Sequence, residues 1–190
     1  MKTPRNSLFS PLKLLSLLAL LGLWLTSQPA SAVTKYWVPA SGTWNDAGSW
    51  SPSGIAGSGD TVLMYRTGGG SLDLTDARTV DAINVGYIVS GTNILNISSS
   101  GTLTTTGLSR IAYSAGTVGK VNVEGVWTGV GGIFLGGGGD GTMTIKSGGN
   151  VTNAALSIGA GAVAVGNLVI DSGGSMNMSS VAIGNTAGST

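Results

Sequence analysis

The sequence contains no cysteine and no histidine, and only 9% of its 190 residues are charged and 6% aromatic. Without cysteine there is no disulfide framework, thiolate nucleophile, zinc finger or iron–sulfur cluster. Without histidine there is no imidazole base, Ser-His-Asp triad or His-bound metal. A basic surface is missing too. The formal charge is +1, but Lys2, Arg5 and Lys13 sit in the first segment; the rest carries six basic and eight acidic groups, a formal charge of −2. That balance gives no electrostatic footprint for nucleic acid or anionic lipid, so no nucleic-acid partner is expected.

The first segment reads as an export signal. A basic start is followed by an apolar run from Leu14 to Leu25 and then by Ala30-Ser31-Ala32, which fits a small-residue cleavage site. The run has 12 residues, too few for the roughly 20 that a helix needs to span a bilayer. Residues 1–32 are therefore expected to be a helical signal peptide, leaving a mature chain from Val33 with no membrane span. No cysteine follows the run, which argues against a lipid anchor at this site. The export route of a cysteine-free chain leaves its stability to packing and backbone pairing.

Glycine is abundant: 33 residues, of which all but Gly22 follow the signal. Short alternating apolar runs accompany it, which favours a sharply turning backbone over disorder. The runs repeat. Leu95-x-Ile97, Val121-x-Val123, Met143-x-Ile145 and Leu168-x-Ile170 each precede a glycine, namely Gly101, Gly125, Gly149 and Gly174. A second marker, an apolar residue followed by Gly or Ala, falls at Val85-Gly86, Ile111-Ala112, Leu135-Gly136, Ile158-Gly159 and Ile183-Gly184. Both markers keep one period, which lies at about two dozen positions, within the range of solenoid repeats.

Short strands, sharp corners and a constant period predict an all-β chain wound as a parallel β-helix, or solenoid. Each coil donates alternate apolar side chains to a shared interior and pairs with the next about 4.8 Å away. About four coils are expected over residues 85–190. An antiparallel sandwich would also have short strands and glycine turns, but does not require equal spacing. Residues 33–84 do not follow the repeat; with Trp37, Trp44 and Trp50 close together, they read as an N-terminal cap over the first open edge. At the other end, Ser180 to Thr190 opens a further unit without completing it, so the array is expected to be truncated.

The run Gly136–Gly159 resembles the repeat of type V secretion (autotransporter) passengers and PEP-CTERM-associated bacterial surface proteins, and the likeness covers about residues 85–190. The Trp-rich start with Gly59-Asp60 is similar to the opening of such proteins. The resemblance implies a right-handed parallel β-helix exported and displayed at, or released from, the cell surface. The chain departs from it in lacking an outer-membrane barrel and a sorting tail.

Several clusters compete as candidate sites. Asp73, Asp76, Arg78 and Asp81 form the densest charged stretch, and β-helix carbohydrate enzymes use such clusters for acid–base or metal chemistry. The competing reading is that they solvate the corner after the cap. Gly136–Gly141 with Asp140 suggests calcium-binding Gly/Asp repeats, but the stretch occurs once and out of phase. Thr102 and Thr104 suggest a flat threonine array, of which only one file persists in later units. The tryptophans offer sugar-stacking platforms if at least one indole is exposed. No catalytic, cofactor-binding or metal-ligating residue is assigned, and no cofactor or enzymatic activity is expected. The expected function is that of an exported scaffold or adhesin-like stalk, in contact with surface glycans or other cell-surface proteins and prone to end-to-end self-association. A carbohydrate-active enzyme or a glycan-binding module is the alternative.

Overall fold

The computed structural model describes residues 31–88, 90–159, 161 and 163–184. Ala32–Thr190 forms one compact unit, separate from Met1–Ser31. The signal helix expected in residues 1–32 lies outside the described residues apart from Ser31 and Ala32, as do residues 185–190 of the repeat expected to be truncated. Among the described residues the chain forms seventeen strands and one short 3-10 turn, Ala47–Ser49.

The strands stack into a parallel β-solenoid with three faces. The first face consists of Ser41–Thr43, Gly70–Leu74, Thr92–Ile97, Val118–Val123, Asp140–Ile145 and Val165–Ile170, one strand per coil. The second stacks Ala77–Val80, Thr102–Thr105, Val126–Gly129 and the first halves of Asn150–Ile158 and Ser175–Ile183. The third stacks Thr34–Trp37, Thr61–Met64, Ala82–Val85, Ser109–Ile111 and Ile133–Leu135, then the second halves of the same two long strands.

The period-2 alternation places one column of side chains inside each face. Leu74, Ile97, Val123, Ile145 and Ile170 are register partners on the first face. Leu103, Trp127, Val151 and Met176 share a column on the second, and Met64, Val85, Ile111, Leu135, Ile158 and Ile183 on the third. These columns form one continuous buried cluster that runs from the Trp residues to Leu156. In the last described rung the columns open: Ile170 is 47% and Ile183 76% exposed.

Both glycine markers align along the stack. The residue after each third-face strand has φ between 56° and 72° at Gly86, Ala112, Gly136, Gly159 and Gly184. Four of the five are glycine because this left-handed corner disfavours a Cβ. Ala112 is the non-glycine exception among the described residues. The other marker, Gly101, Gly125, Gly149 and Gly174, is linked by rung-to-rung bonds. The Val126 N–H donates to Gly101 O at 3.0 Å, Asn150 to Gly125 at 2.8 Å and Ser175 to Gly149 at 2.9 Å.

Four first-face strands lie in residues 85–190, but the solenoid as a whole has about six turns, so the reading of residues 33–84 as a cap alone requires correction: they add the first-face strands Ser41–Thr43 and Gly70–Leu74. Residues 61–85 are in register with the rungs that follow them. What hid them is corner length. Ser41, Ser71, Ile94, Lys120, Thr142 and Asn167 are successive register partners down the first face, and their sequence intervals are unequal, the first being the longest. Only the start of the segment behaves as a lid. Trp50–Ser51 runs antiparallel to Thr34–Trp37 and occupies the edge of the third face. Trp37, Trp44 and Trp50 are at most 3% exposed and pack with ring centroids 5.2 Å apart in each adjacent pair. The antiparallel strand covers the edge of the third face at Tyr36 and Trp37 and so shortens the unpaired row it offers to another chain.

Candidate binding surfaces

Asp73, Asp76, Arg78 and Asp81 occupy different parts of the coil. Asp73 lies on the first-face strand Gly70–Leu74, where Asn96 Nδ2 donates to it at 2.7 Å. Asp76 stands in the next corner and pairs with Arg78 at 2.6 Å. Arg78 is the register partner of Leu103 and so heads the interior column of the second face, its guanidinium also held by Asn45. Asp81 is at the corner between second and third faces and accepts from Thr106 Oγ1 at 3.2 Å. Three carboxylates that each serve a different part of the coil do not form an acid–base pair. Among the described residues, no group of three acidic side chains converges on a point where a metal ion can sit. No helix there is long and apolar enough to cross a membrane.

A shallow groove of about 360 Å³ does run along the first face. Its floor is a ladder in register, Asp73, Asn96 and Asn122. Asn122 Nδ2 donates to Asn96 Oδ1 at 2.8 Å, and Asn96 in turn to Asp73. One wall carries the Lys146–Glu124 pair at 2.7 Å, with side chains 42% and 44% exposed. A pair that open contributes little to stability. The groove's carboxylates are both engaged, Asp73 by an amide and Glu124 by an ammonium.

The glycine run Gly136–Gly139 has a structural cause. The backbone N–H groups of Gly137, Gly138 and Gly139 all donate to Ala112 O, at 3.0, 3.3 and 3.0 Å. The corner thereby wraps one carbonyl of the preceding rung. Side chains at these positions would run into Tyr113 and the carbonyls of Ser114 and Thr117. Asp140 begins a first-face strand, paired with Val118 and Val165. The threonine file is a single one: Thr79, Thr104, Thr128 and Thr152 stack, while Thr102 continues as Val126, Asn150 and Ser175.

Trp37, Trp44, Trp50 and Trp127 are all buried. The condition for sugar stacking on an exposed indole is therefore not met among the described residues. Asp46, exposed beside this cluster, has its carboxyl held below the usual range. The Ser49 hydroxyl is the larger cause and the Gly48 N–H the second; both donate to the ionised form.

The exposed aromatic surface lies elsewhere, and sequence reading passed over it. The tyrosines are four, Tyr36, Tyr65, Tyr87 and Tyr113, and each of the first four coils places one on the third face or the corner after it. Tyr36 meets Tyr65 edge-on with centroids 5.2 Å apart; Tyr87 stacks on Tyr113 at 5.7 Å and 13°. Arg110 lies 5.0 Å from the Tyr113 centroid, and Arg66 Nη1 donates to Val38 O at 2.8 Å. The ion pairs among the described residues are Arg78–Asp76 and Lys146–Glu124, so neither Arg66 nor Arg110 has a carboxylate partner. The signal was present: Tyr65 directly follows Met64, and Tyr87 and Tyr113 directly follow the Gly86 and Ala112 of the second repeat marker.

Comparison with protein-family models, with curated proteins and with solved structures finds no match to this chain.

Proposed function

We propose that the chain is an exported, non-catalytic β-solenoid segment of a bacterial cell-surface or extracellular protein, built on the plan of autotransporter passengers and PEP-CTERM-associated repeats. The observation that carries this reading is the separation of Asp73, Asp76 and Asp81 onto different parts of the coil, each bound by a neighbour, along a rod whose groove on the first face is shallow. Such a rod acts by repetition: equivalent side chains recur at each rung, and many weak contacts add up. Right-handed winding accords with the strong chirality of crossovers between parallel strands. The open interior of the last described rung supports end-to-end association with a second copy. Expressed with a C-terminal tag in a bacterial host, the chain should leave the cytoplasm and begin at Val33 by mass spectrometry. An uncut chain retained in the cytoplasm would overturn the export reading.

A second reading, a glycan-binding module, is favoured by the tyrosine column. Tyrosine faces stack on sugar rings, and the two arginines without acid partners suit a uronate-bearing polysaccharide. Polygalacturonate should retard the native chain in affinity electrophoresis, whereas neutral dextran should not. Tyr113→Ala and Arg110→Ala should each weaken the retardation roughly tenfold, while Thr128→Ala on the second face should leave it unchanged. Equal retardation of all three variants would remove this reading.

A further inference from the structure

Asp60 is a nearly buried carboxylate, 8% exposed, and among the described residues it has no cationic partner. Its oxygens accept from two backbone N–H groups, Oδ1 from Val33 and Oδ2 from Gly57, each at 3.0 Å. The surrounding backbone fixes it in place. Asp60 N donates to Gly57 O at 3.0 Å, and its own carbonyl accepts from Asp81 N at 2.8 Å. Burying an ionised carboxylate against neutral donors alone is costly. Val33 is the residue that the Ala30-Ser31-Ala32 pattern marks as the first of the processed chain, and Thr61 N donates to its carbonyl at 3.1 Å.

We infer that Asp60 is the receptor for the α-ammonium group created when the Ala32–Val33 peptide bond is hydrolysed. Water adds across the amide: Ala32 keeps the carbonyl carbon as a carboxylate, and Val33 keeps the nitrogen, which takes up a proton. The neutral N–H at 3.0 Å from Oδ1 becomes a cation with three donors. Processing thus supplies a counter-ion that Asp60 lacks among the described residues, and it does so at the residue before the first strand. The inference rests on the export reading for the position of the cut.

The α-ammonium has an ordinary pKa of about 7.7–8.0, and a carboxylate partner in the folded state raises it. A group raised on folding stabilises fully below its unfolded pKa, and the gain is lost as pH rises through the folded value. The neighbouring charged groups are Lys35, whose Nζ donates to the carbonyls of Pro52 and Ser53, and Asp81, which accepts from Thr61 and Thr106. Both are present before and after the cut, so a difference measurement cancels them.

The test uses the full chain with residues 29–32 replaced by the recognition sequence of a protease that leaves Val33 first. One preparation is melted before and after cutting. At pH 6 the cut should raise Tm by roughly 3–6 °C, and the rise should fade as the pH is taken above 9. Asp60→Asn should show no rise at either pH. Should that variant fail to fold, acetylation of the new N-terminus in the native cut chain should erase the rise. An unchanged Tm on cutting, or a rise that survives acetylation, would overturn the receptor role. Mass spectrometry of the exported chain decides separately whether the host cuts at Val33, so failure of the export reading is distinguishable from failure at Asp60.

Discussion

The Gly125→Ala variant is expected to unfold about 6–12 °C below the native chain, a loss of about 3 kcal/mol. Gly125 needs no left-handed φ, so the cost is not one of backbone preference. It comes from the stack. A Cβ at this position would lie less than 3.0 Å from the carbonyl oxygens of both Gly101 and Ser98, on the rung before. Those oxygens cannot retreat without loosening the bonds that hold the rungs together, because Gly101 O accepts from Val126 N. Two other glycines separate this effect from the ordinary loss of glycine. At Gly116, with φ +75° and no atom within 4 Å of the added carbon, only the left-handed conformation opposes alanine, a cost of about 1 kcal/mol. At Gly57, with neither obstacle, the change should stay within about 0.5 kcal/mol. Thermal melts of the three variants read the ranking directly. Equal losses at Gly125 and Gly57 would mean that the glycine column does not mark close contact between coils.

Trp127→Ala is expected to cost about 3–5 kcal/mol, the range for deleting a large buried aromatic side chain. Trp127 is 0% exposed, in register with Leu103 on one side and Val151 on the other, near the middle of the stack. Its loss leaves a hole that the neighbouring rungs cannot close, since their spacing is set by the backbone bonds of three faces. It also strips the Thr105 hydroxyl of the Nε1 donor at 3.2 Å. Urea titration of Trp127→Ala and Val126→Ala makes the comparison. Val126 points outward and is 37% exposed, so its truncation should cost less than about 0.5 kcal/mol. The two residues are adjacent, and a one-residue slip would exchange their roles. A larger loss at Val126 would therefore refute the register of the second face.

How much of this was legible before the fold was known depends on what each residue answers to. The inward columns were, because alternation within a strand is local and recurs. Leu95-x-Ile97 and Met143-x-Ile145 announce the same geometry wherever they occur. The corner glycines were legible for a related reason: Gly101, Gly125, Gly149 and Gly174 directly precede Thr102, Val126, Asn150 and Ser175, second-face register partners that are almost evenly spaced in sequence. The first two coils were not. Their corners lengthen and shorten, so the register partners Thr34, Thr61 and Ala82 are unevenly spaced, the second interval being shorter than the first. A constant-period search has no purchase there, and the tryptophans drew attention to capping and sugar stacking, not to further rungs.

The site chemistry was less accessible still. Asp73, Asp76 and Asp81 are near in sequence, yet two corners of the solenoid turn them in different directions. Tyr87 and Tyr113 lie a whole coil apart in sequence, and their rings stack. Asp60 and Val33 are likewise distant along the chain and share a hydrogen bond.

The sequence by itself thus determined that the chain winds into rungs, which side of each strand faces inward, and where the backbone must pass without a Cβ. All three follow from spacing and residue size within a single unit. Only the tertiary structure decided how many rungs there are, which tyrosines, asparagines and carboxylates become lateral neighbours, and which charge is left without a partner. The physical reason is that stacking brings each residue about 4.8 Å from one a whole coil away. Which residue that is depends on the accumulated length of every corner between them.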